Sequence, residues 1–360
     1  MVQFLIRRLI LAIPVLFGIL VVVFALGRLI PGDPCHAQLG EKATDAACAA
    51  FDERYGLDRS IPEQFFIYVK DVVRGDLGNS LGFQRPVSEL LAERLPTTIE
   101  LTISAMIFAV IVGIPLGIIS AYRHNSAIDV FTMMLANIGV SMPVFWLGLM
   151  LIFVFSVWIK GTPLAFLELP PGRPPTVNFD ARFYAVWGLV TSKDQVTPWM
   201  EFISRFTILN AALTSNTSLM IDAVRRLILP AIAVGTIPLS IIARMTRSSL
   251  LDVMGQDYIR TARAKGLQER FVMIRHALKN AMLPVVTIIG LNIGFLISGA
   301  VLTETVFSFT GIGKTLFEGI TARDYTLVQG VTVSTAIAFV FINLFVDLMY
   351  GLLDPRVRLE

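Results

Sequence analysis

The stretch QDYIRTARAKGLQERFVMIRHALKNAMLP, residues 256–284, carries the strongest indication of how this chain folds. It is basic, and it separates two hydrophobic runs that contain no charged residue. Short loops rich in lysine and arginine stay on the cytoplasmic side of a membrane, so the stretch predicts a cytoplasmic loop between two spans. The composition agrees, because 55% of the 360 residues are hydrophobic, 16% are charged and the mean hydropathy is +0.70. Such values are typical of a polytopic membrane protein.

Six hydrophobic runs are long enough to cross a bilayer as helices, which takes about 20 apolar residues. The sequence therefore predicts an all-α membrane protein with six transmembrane helices. The fourth run is the shortest, and Arg226 at its border can snorkel and lengthen it. Residues 206–221 are also uncharged, but they are rich in asparagine, serine and threonine and predict an interfacial or extramembrane helix. The six runs are residues 9–27, 101–122, 130–159, 227–243, 280–303 and 325–346.

Positive charge on the short loops orients these spans. Arg7 and Arg8 precede the first span. They share one side with residues 244–279 if both termini are cytoplasmic, and residues 31–98 and 160–226 then lie outside. The basic residues of the loop are Arg244, Arg247, Arg260, Arg263, Lys265, Arg270, Arg275 and Lys279, against Asp252, Asp257 and Glu269.

The chain is expected to have three parts. The first span has two arginines before it, as a secretory signal does, but its apolar run is too long and no small-residue cleavage site follows. We therefore expect an uncleaved anchor. Residues 1–98 hold this span and an extracytoplasmic segment, residues 99–352 hold the other spans with the outside insert 160–226 and the loop 244–279, and residues 353–360 form a cytoplasmic tail.

Two features are predicted in the first outside segment. Apolar residues at helical spacing over 61–74 indicate an amphipathic helix, which lies on the outer membrane surface or packs on the chain's own spans. Cys35 and Cys48 meet oxidising conditions there, so a disulfide is open to them, as is a pair of free thiols. With so few cysteines and histidines, placed on different sides, no metal site is expected.

The interiors of the spans are almost free of charge. An embedded enzyme buries a nucleophile and a base, and a proton-coupled carrier buries carboxylates. Neither pattern is present in the interiors of these spans. Small and weakly polar residues remain, which either line a translocation path or serve helix packing, where they let backbones approach. The path candidates are Asn137 and Ser141 in the third span and Asn292 and Ser298 in the fifth.

Residues 308–315, SFTGIGKT, match a phosphate-binding loop except that Ser308 replaces its first glycine. Such a loop needs a preceding strand, a following helix and access to cytosolic ATP. The predicted topology puts residues 304–324 outside the cell, so we expect a Gly-rich bend between the last two spans. If ATP drives this protein, another chain binds it.

The basic stretch contains two predicted helices. Residues 258–264 are small and basic, and Gly266 supplies a helix stop. We call residues 258–266 the knob. Its Arg263 and Lys265 either dock on another protein or hold the loop near anionic lipid headgroups. Beyond the knob, an amphipathic helix leading into the fifth span is predicted from Leu267, Phe271, Ile274, Leu278 and Ala281.

The two parts of the stretch, YIRTARAKGL at 258–267 and RHALKNAMLP at 275–284, are accompanied by further motifs in order along nearly the whole chain. These are PGDP at 31–34, YGLD at 55–58, RGDLGNS at 74–80, RPV at 85–87, LPTTIEL at 95–101, ETVFS at 304–308, GIG at 311–313 and LDPR at 353–356. Together they resemble the permease subunits of ABC importers, in the dipeptide, oligopeptide and nickel branch. The resemblance implies a type I importer permease fold with a cytoplasmic coupling helix.

The chain departs from the general importer pattern in its coupling loop. Arg260, Thr261 and Ala262 stand where that pattern begins Glu-Ala-Ala, and the Leu-Pro comes later. Peptide-type permeases are similar in both respects, so these departures favour the peptide-type branch within the importer family. The role of the glutamate is not carried over to Arg260. The insert 160–226 is also longer than in many relatives.

The resemblance implies an assembly in a prokaryotic inner membrane. This chain, embedded among membrane lipids, would pair with a second homologous permease subunit, two cytoplasmic ATPases that bind ATP and Mg²⁺, and an extracytoplasmic solute-binding protein. It would bind no cofactor and catalyse no reaction, and no nucleic-acid partner is expected. The substrate would be dipeptides or oligopeptides, with nickel chelates, glutathione or sugars as alternatives.

Residue roles follow from the same resemblance. Glu304 and Phe307 would line an outer gate, and small Ala262 and Ala264 would let the knob seat against an ATPase. The expected ATPase-coupling residues are Tyr258, Arg260, Thr261, Ala262, Arg263, Ala264, Lys265 and Gly266.

Two rival functions remain. A secondary carrier would need no coupling loop. A membrane-embedded enzyme would use the insert as an outside catalytic face, with Asp180, Asp194, Glu201 and Asp222 as its acids, which show no paired motif.

Overall fold

A computed structural model of the chain describes residues 2–29, 35, 43–173, 176–297 and 301–353. Over these residues the regular structure is helical, apart from one isolated β-bridge. The helices, numbered in chain order, are α1 (Val2–Leu29), α2 (Asp45–Tyr55), α3 (Ile61–Val73), α4 (Val87–Tyr122), α5 (Ala127–Ser141), α6 (Val144–Trp158), α7 (Phe183–Val186), α8 (Pro198–Ser204), α9 (Thr207–Leu213), α10 (Thr217–Met254), α11 (Asp257–Ala264), α12 (Glu269–Ile297), α13 (Val301–Val306), α14 (Ile312–Thr321) and α15 (Tyr325–Leu353).

Five of the described helices, α1, α4, α10, α12 and α15, are long and apolar enough to cross a membrane. A further pair, α5 and α6, passes the same test together but is bent by 99° at its break. The expected all-α, multi-span architecture is confirmed, and six spans are reached when the bent pair counts as one.

The bend in the third span comes from Pro143. The hydrophobic run 130–159 predicts one uninterrupted helix, whereas α5 ends at Ser141 and α6 begins at Val144. A proline disfavours the helical conformation of the residue before it, and Met142 accordingly adopts φ −105° and ψ 138°. The hydropathy pattern did not show this break, because it responds to charged and polar residues and the residues at the bend are uncharged.

The fourth span, which is the shortest by hydropathy, belongs to the longest described helix. α10 has 38 residues and begins after Asn216, whose side chain accepts a hydrogen bond from the Leu219 N–H. The single helix predicted for residues 206–221 is wrong. α9 ends first, Ser215 adopts φ +53°, and α10 then begins at Thr217.

The centre of the molecule is the contact between α4 and α10. Small residues bring the two backbones together there. A Cβ atom on Gly117 would lie 2.6 Å from the Ala243 carbonyl oxygen, and one on Gly235 would lie 2.7 Å from the Ala105 carbonyl oxygen. These glycines serve helix packing.

The first outside segment is tied to α1. The predicted amphipathic helix is confirmed as α3, and Phe65 packs edge-on against Phe24 of α1 with ring centroids 5.3 Å apart. On another side of α3, Phe66 is 71% exposed. Cys35 and Cys48 form a disulfide with their Cα atoms 5.4 Å apart, which joins α2 to the chain after α1.

The insert 160–226 folds against α4 near Glu100. Glu100 accepts a hydrogen bond from the Ile208 N–H, 2.8 Å away. Within the insert, Glu201 accepts hydrogen bonds from Arg182 and from the Tyr184 hydroxyl. Burial raises the pKa of Glu201, but Arg182, together with the charge of Arg205 and the hydrogen bond from Tyr184, outweighs it and leaves the pKa below its ordinary value. Glu201 thus serves an ion-pair network that holds the insert together.

Candidate functional site

The knob begins where the longest helix ends. α10 stops at Met254, the chain turns, and α11 occupies Asp257–Ala264. Gly266 follows with φ +77°, in the left-handed region that favours glycine. The predicted helix break at Gly266 is therefore confirmed.

One face of α11 packs against the spans of the same chain. Ile259 is fully buried and Ala262 is 7% exposed. Both belong to an apolar cluster with Leu250 of α10 and Ala277 of α12. Contrary to the expectation from sequence, Ala262 lies against its own helices and not on a surface that meets a partner, and its small size serves that internal contact.

The opposite face of α11 is open. Tyr258 is 42% exposed. Arg260, Thr261, Ala264 and Lys265 are exposed as well. We call these five residues the docking face. Arg263 and Gly266 of the predicted coupling site are exposed too, beside this face.

Two polar contacts fasten the knob to α12. Arg263 donates hydrogen bonds of 3.0 and 2.7 Å to the Glu269 carboxylate, and these bonds raise the pKa of Arg263. Asn280 Nδ2 donates to the Tyr258 hydroxyl at 2.8 Å. Arg263 and Tyr258, which the sequence suggested as partner contacts, therefore also set the orientation of the knob within this chain.

About two turns before the end of α10, an ion pair joins α10 to α5. Arg247 donates from Nε to Asp129 Oδ1 at 2.8 Å and from Nη2 to Oδ2 at 2.7 Å. The same carboxylate accepts hydrogen bonds from the Asn125 N–H at 3.0 Å and from the Ser120 hydroxyl. The Asp129 side chain is 7% exposed, so a fully bonded carboxylate locks three chain segments together.

Sequence reasoning did not single out this lock. It counted Arg247 as one of many loop charges and passed over Asp129 at the edge of the third hydrophobic run. The available signal was an acid at the start of one span and an arginine near the end of another. The two residues can be paired only when α5 and α10 are known to be neighbours.

Three of the residues suggested for a translocation path make hydrogen bonds within this chain. Asn137 Oδ1 accepts a hydrogen bond from Ser240 Oγ of α10 at 2.8 Å. Ser141 donates to a backbone carbonyl of its own helix at 3.1 Å, and Asn292 does the same at 2.8 Å. Ser298 lies outside the described residues. A path role for these side chains stays a prediction.

Glu304, suggested for an outer gate, is completely buried. Its Oε1 accepts a hydrogen bond from the Thr98 hydroxyl at 2.7 Å, and its Oε2 accepts one from the Lys314 N–H at 2.8 Å. Thr98 Oγ1 in turn accepts a hydrogen bond from the Ile312 N–H at 2.8 Å. Burial raises the pKa of Glu304, against the hydrogen bonds that lower it. The carboxylate thus caps the first turn of α14 and ties it to α4.

Phe307, the other gate residue, is 1% exposed and packs with Phe309 and Leu229. Neither Glu304 nor Phe307 faces open space in this conformation. Their gate role stays a prediction, and the observed contacts are those of a structural anchor at the Gly-rich bend.

Known proteins match this chain from end to end. A family model described as "Binding-protein-dependent transport system inner membrane component" matches residues 113–359, and the corresponding N-terminal model matches residues 1–102. A dipeptide transport system permease protein of Alkalihalophilus pseudofirmus is 43% identical over 358 residues, 99% of this chain and 100% of the relative. That of Escherichia coli K12 is 44% identical over 359 residues, 99% of each chain.

A third relative is the di/tripeptide transport system permease protein of Pseudomonas aeruginosa, which is 42% identical over 359 residues, 99% of each chain. These matches confirm the family that the sequence motifs suggested. They also agree with the several apolar helices of a multi-pass inner-membrane protein. The chain belongs to the family of binding-protein-dependent transport system inner membrane components.

Proposed function

We propose that this chain is the permease subunit of an ATP-driven ABC importer that moves dipeptides or oligopeptides across the cytoplasmic membrane by alternating access. The observation that carries the proposal is the match to dipeptide permeases along the whole chain at 43–44% identity. Small peptides vary in side chain, so a path that tolerates them should lack strong fixed charges. The nearly charge-free interiors of the spans support this.

The working assembly contains this chain, a second homologous permease subunit, two cytoplasmic ATPases and an extracytoplasmic solute-binding protein. Six spans, with the bent pair counted as one, put both termini on the same side of the membrane. The basic residues before the first span and around the knob support a cytoplasmic location for that side. The knob then faces the ATPases, and the insert 160–226 faces the binding protein.

This chain has no ATPase site of its own in the proposed mechanism, and ATP and Mg²⁺ bind to the partner ATPases. The Gly-rich loop that resembles a phosphate-binding loop supports this assignment. Its Lys314 N–H already donates to Glu304, and its Ile312 N–H donates to Thr98. An internal carboxylate occupies the position that a phosphate takes in a nucleotide-binding loop.

ATP acts on this chain through the docking face. When the ATPase pair closes around ATP, it carries α11 with it. α11 follows α10 directly and shares a buried cluster with α10 and α12, so its displacement is passed to both spans. The spans then switch from an inward-open to an outward-open arrangement, a rigid-body change biased by the contacts made in each state.

Replacing Ala264 with tryptophan should uncouple transport without unfolding the chain. Ala264 is exposed on the docking face, so the larger side chain meets only the partner. Overpacking a contact costs about 1–3 kcal/mol, so we expect binding of the ATPase to weaken about 5- to 150-fold and peptide uptake to fall accordingly. Co-purification with the ATPase and peptide uptake in liposomes measure the two effects.

Ala264→Ser is the matched control, because it keeps the side chain small and should leave both measurements unchanged. Ala262→Trp gives the contrasting result, since Ala262 is buried against the chain's own spans and the variant should lose thermal stability instead. Full uptake by the Ala264→Trp complex would remove the docking role from this face. Uptake of a peptide library, of nickel chelates and of glutathione into the same liposomes, measured side by side, identifies the substrate.

A further inference from the structure

The half of α10 that leads to the knob has one open side, and that side is polar. Between Leu227 and Met254, the exposed residues of α10 are Arg244, Ser248 and Asp252. They are four residues apart, so they lie on one side of the helix. The other residues of this stretch are buried or half-buried. A side turned to lipid would be apolar, so this side of α10 faces water or another protein.

The Arg244 side chain carries this polarity into the apolar layer. Its Nη1 donates a hydrogen bond of 3.3 Å to Asn137 Oδ1 of α5. Asn137 comes seven residues after Val130, where the third hydrophobic run begins, which is about 10 Å along the helix. Helical side chains point toward the N-terminus of their helix, which in α10 is the direction away from the knob. The guanidinium therefore lies within the span and does not reach back to the headgroups.

A buried serine fixes Asn137 for this contact. Ser240, four residues before Arg244, is fully buried, and its hydroxyl donates to the same Asn137 Oδ1 at 2.8 Å. Because an arginine can only donate, the amide oxygen of Asn137 is the atom that faces Arg244. The contact thus has a defined geometry, and Asn137 is a positioning residue for the guanidinium.

The charge of Arg244 has no counter-ion in the part of the chain that the structure describes. Its partner Asn137 is neutral, whereas Arg247, three residues further, is paired with Asp129. Asp252, the acid on the open side, lies about 12 Å farther along α10. Charged groups within spans nearly always face a protein interior or a water-filled cavity, and they mark the routes of substrates. An anion that passes through the protein suits this charge.

We propose that Arg244 receives the terminal carboxylate of the peptide during its passage through the membrane, with Asn137 holding the guanidinium in place. This inference rests on the proposed import of peptides and names the group of the substrate that this chain recognises. Peptides differ in their side chains but share a terminal carboxylate, so one cation serves them all. Arginine binds a carboxylate through two parallel N–H groups, and Nε and Nη2 of Arg244 have no partner among the described residues.

The contact would ease the passage of a charged group through an apolar layer. A carboxylate that leaves water loses its hydration, which is unfavourable unless a donor replaces it. Arg244 supplies that donor at one point of the route. Its exposure to water keeps the contact weak enough for the peptide to move on, as a translocation route requires.

Peptide uptake by the assembled complex in liposomes tests the proposal. The peptide of the library that the wild-type complex takes up fastest is used with a free terminal carboxylate and as its C-terminal amide, each preloaded on the solute-binding protein. For Arg244→Met, we expect the initial rate with the free carboxylate to fall about tenfold, the low end for hydrogen bonds between charged groups. The rate with the amide should change less than about twofold. Arg244→Lys keeps the charge and should retain most of the rate.

A second variant removes the free charge without removing the arginine. Asn137→Asp places a carboxylate beside Arg244 and should slow the free-carboxylate peptide as Arg244→Met does. Arg123→Met is the matched control, because Arg123 is an exposed arginine at the end of α4 that stacks on Tyr122, 5.5 Å from the ring centroid. It should import both peptides at wild-type rates. Equal melting temperatures of the variants exclude loss of fold as the cause.

The outcomes separate this inference from the proposed function. If Arg244→Met slows both peptides equally, the charge serves a contact with the second permease subunit and the proposal is overturned. Unchanged uptake of the free-carboxylate peptide overturns it as well. If the wild-type complex takes up no peptide of the library, the proposed function itself fails, and this inference falls with it.

Discussion

Replacing Arg247 with methionine is expected to lower the free energy of unfolding by about 3–5 kcal/mol, because it leaves the buried Asp129 carboxylate without its cationic partner. The Asp129 side chain is 7% exposed and receives two of its hydrogen bonds from Arg247. Thermal unfolding of the purified chain in detergent, followed by tryptophan fluorescence, measures the loss.

Arg244→Met provides the matched control on the same helix. Arg244 is exposed and makes one long hydrogen bond of 3.3 Å, to Asn137, so its loss should change the free energy of unfolding by only about 0.5 kcal/mol. Combining Asp129→Leu with Arg247→Met should recover most of the stability, since no lone charge then remains buried. If Arg247→Met and Arg244→Met unfold at the same temperature, the ion pair does not hold α5 to α10.

The second large effect is expected at the Gly-rich bend. Glu304→Leu removes the acceptor of the Thr98 hydroxyl and of the Lys314 N–H. Each stranded buried donor costs about 1–3 kcal/mol. We expect α13 and α14 to open locally, and hydrogen exchange of residues 301–324 detects this directly.

Gly311 offers an independent way to disturb the same contact. A Cβ atom on Gly311 would lie 2.5 Å from Thr98 Oγ1, so Gly311→Ala should displace Thr98 and Glu304 and speed exchange in the same residues. Gly18→Ala is the control, because a Cβ atom there has nothing within 4 Å. Slow exchange at residues 301–324 in both Glu304→Leu and Gly311→Ala would show that the bend does not depend on this carboxylate.

The spans could be predicted because the hydropathy of a segment depends only on its own residues. The helix break at Gly266 could be predicted for the same reason, since a glycine ends a helix locally. The bend at Pro143 was missed although the proline is in plain view, since a proline within a span often only kinks the helix. The full length of α10 was missed because Asp222, Arg225 and Arg226 made its first turns look like loop.

The candidate site was harder to predict, because its key contacts join residues far apart in the chain. The sequence showed that the knob is small, basic and broken at a glycine, but not which face it presents. Ala262 and Ala264 look equivalent in the sequence and point in different directions in the structure. Glu304 resembled a gate residue by position, and only the fold shows that it caps a helix.

The continuity of α10 has a mechanical consequence. At 1.5 Å per residue, its 38 residues form a rod about 57 Å long, which begins beside the outside insert and ends at the knob. A tilt of 10° would displace one end by about 10 Å relative to the other. Pro230 and Pro238 each remove a backbone hydrogen bond, so they are the places where such a lever would flex. Motion applied at the knob can therefore arrive at the far end of α10 along one piece of backbone, without a relay of side chains.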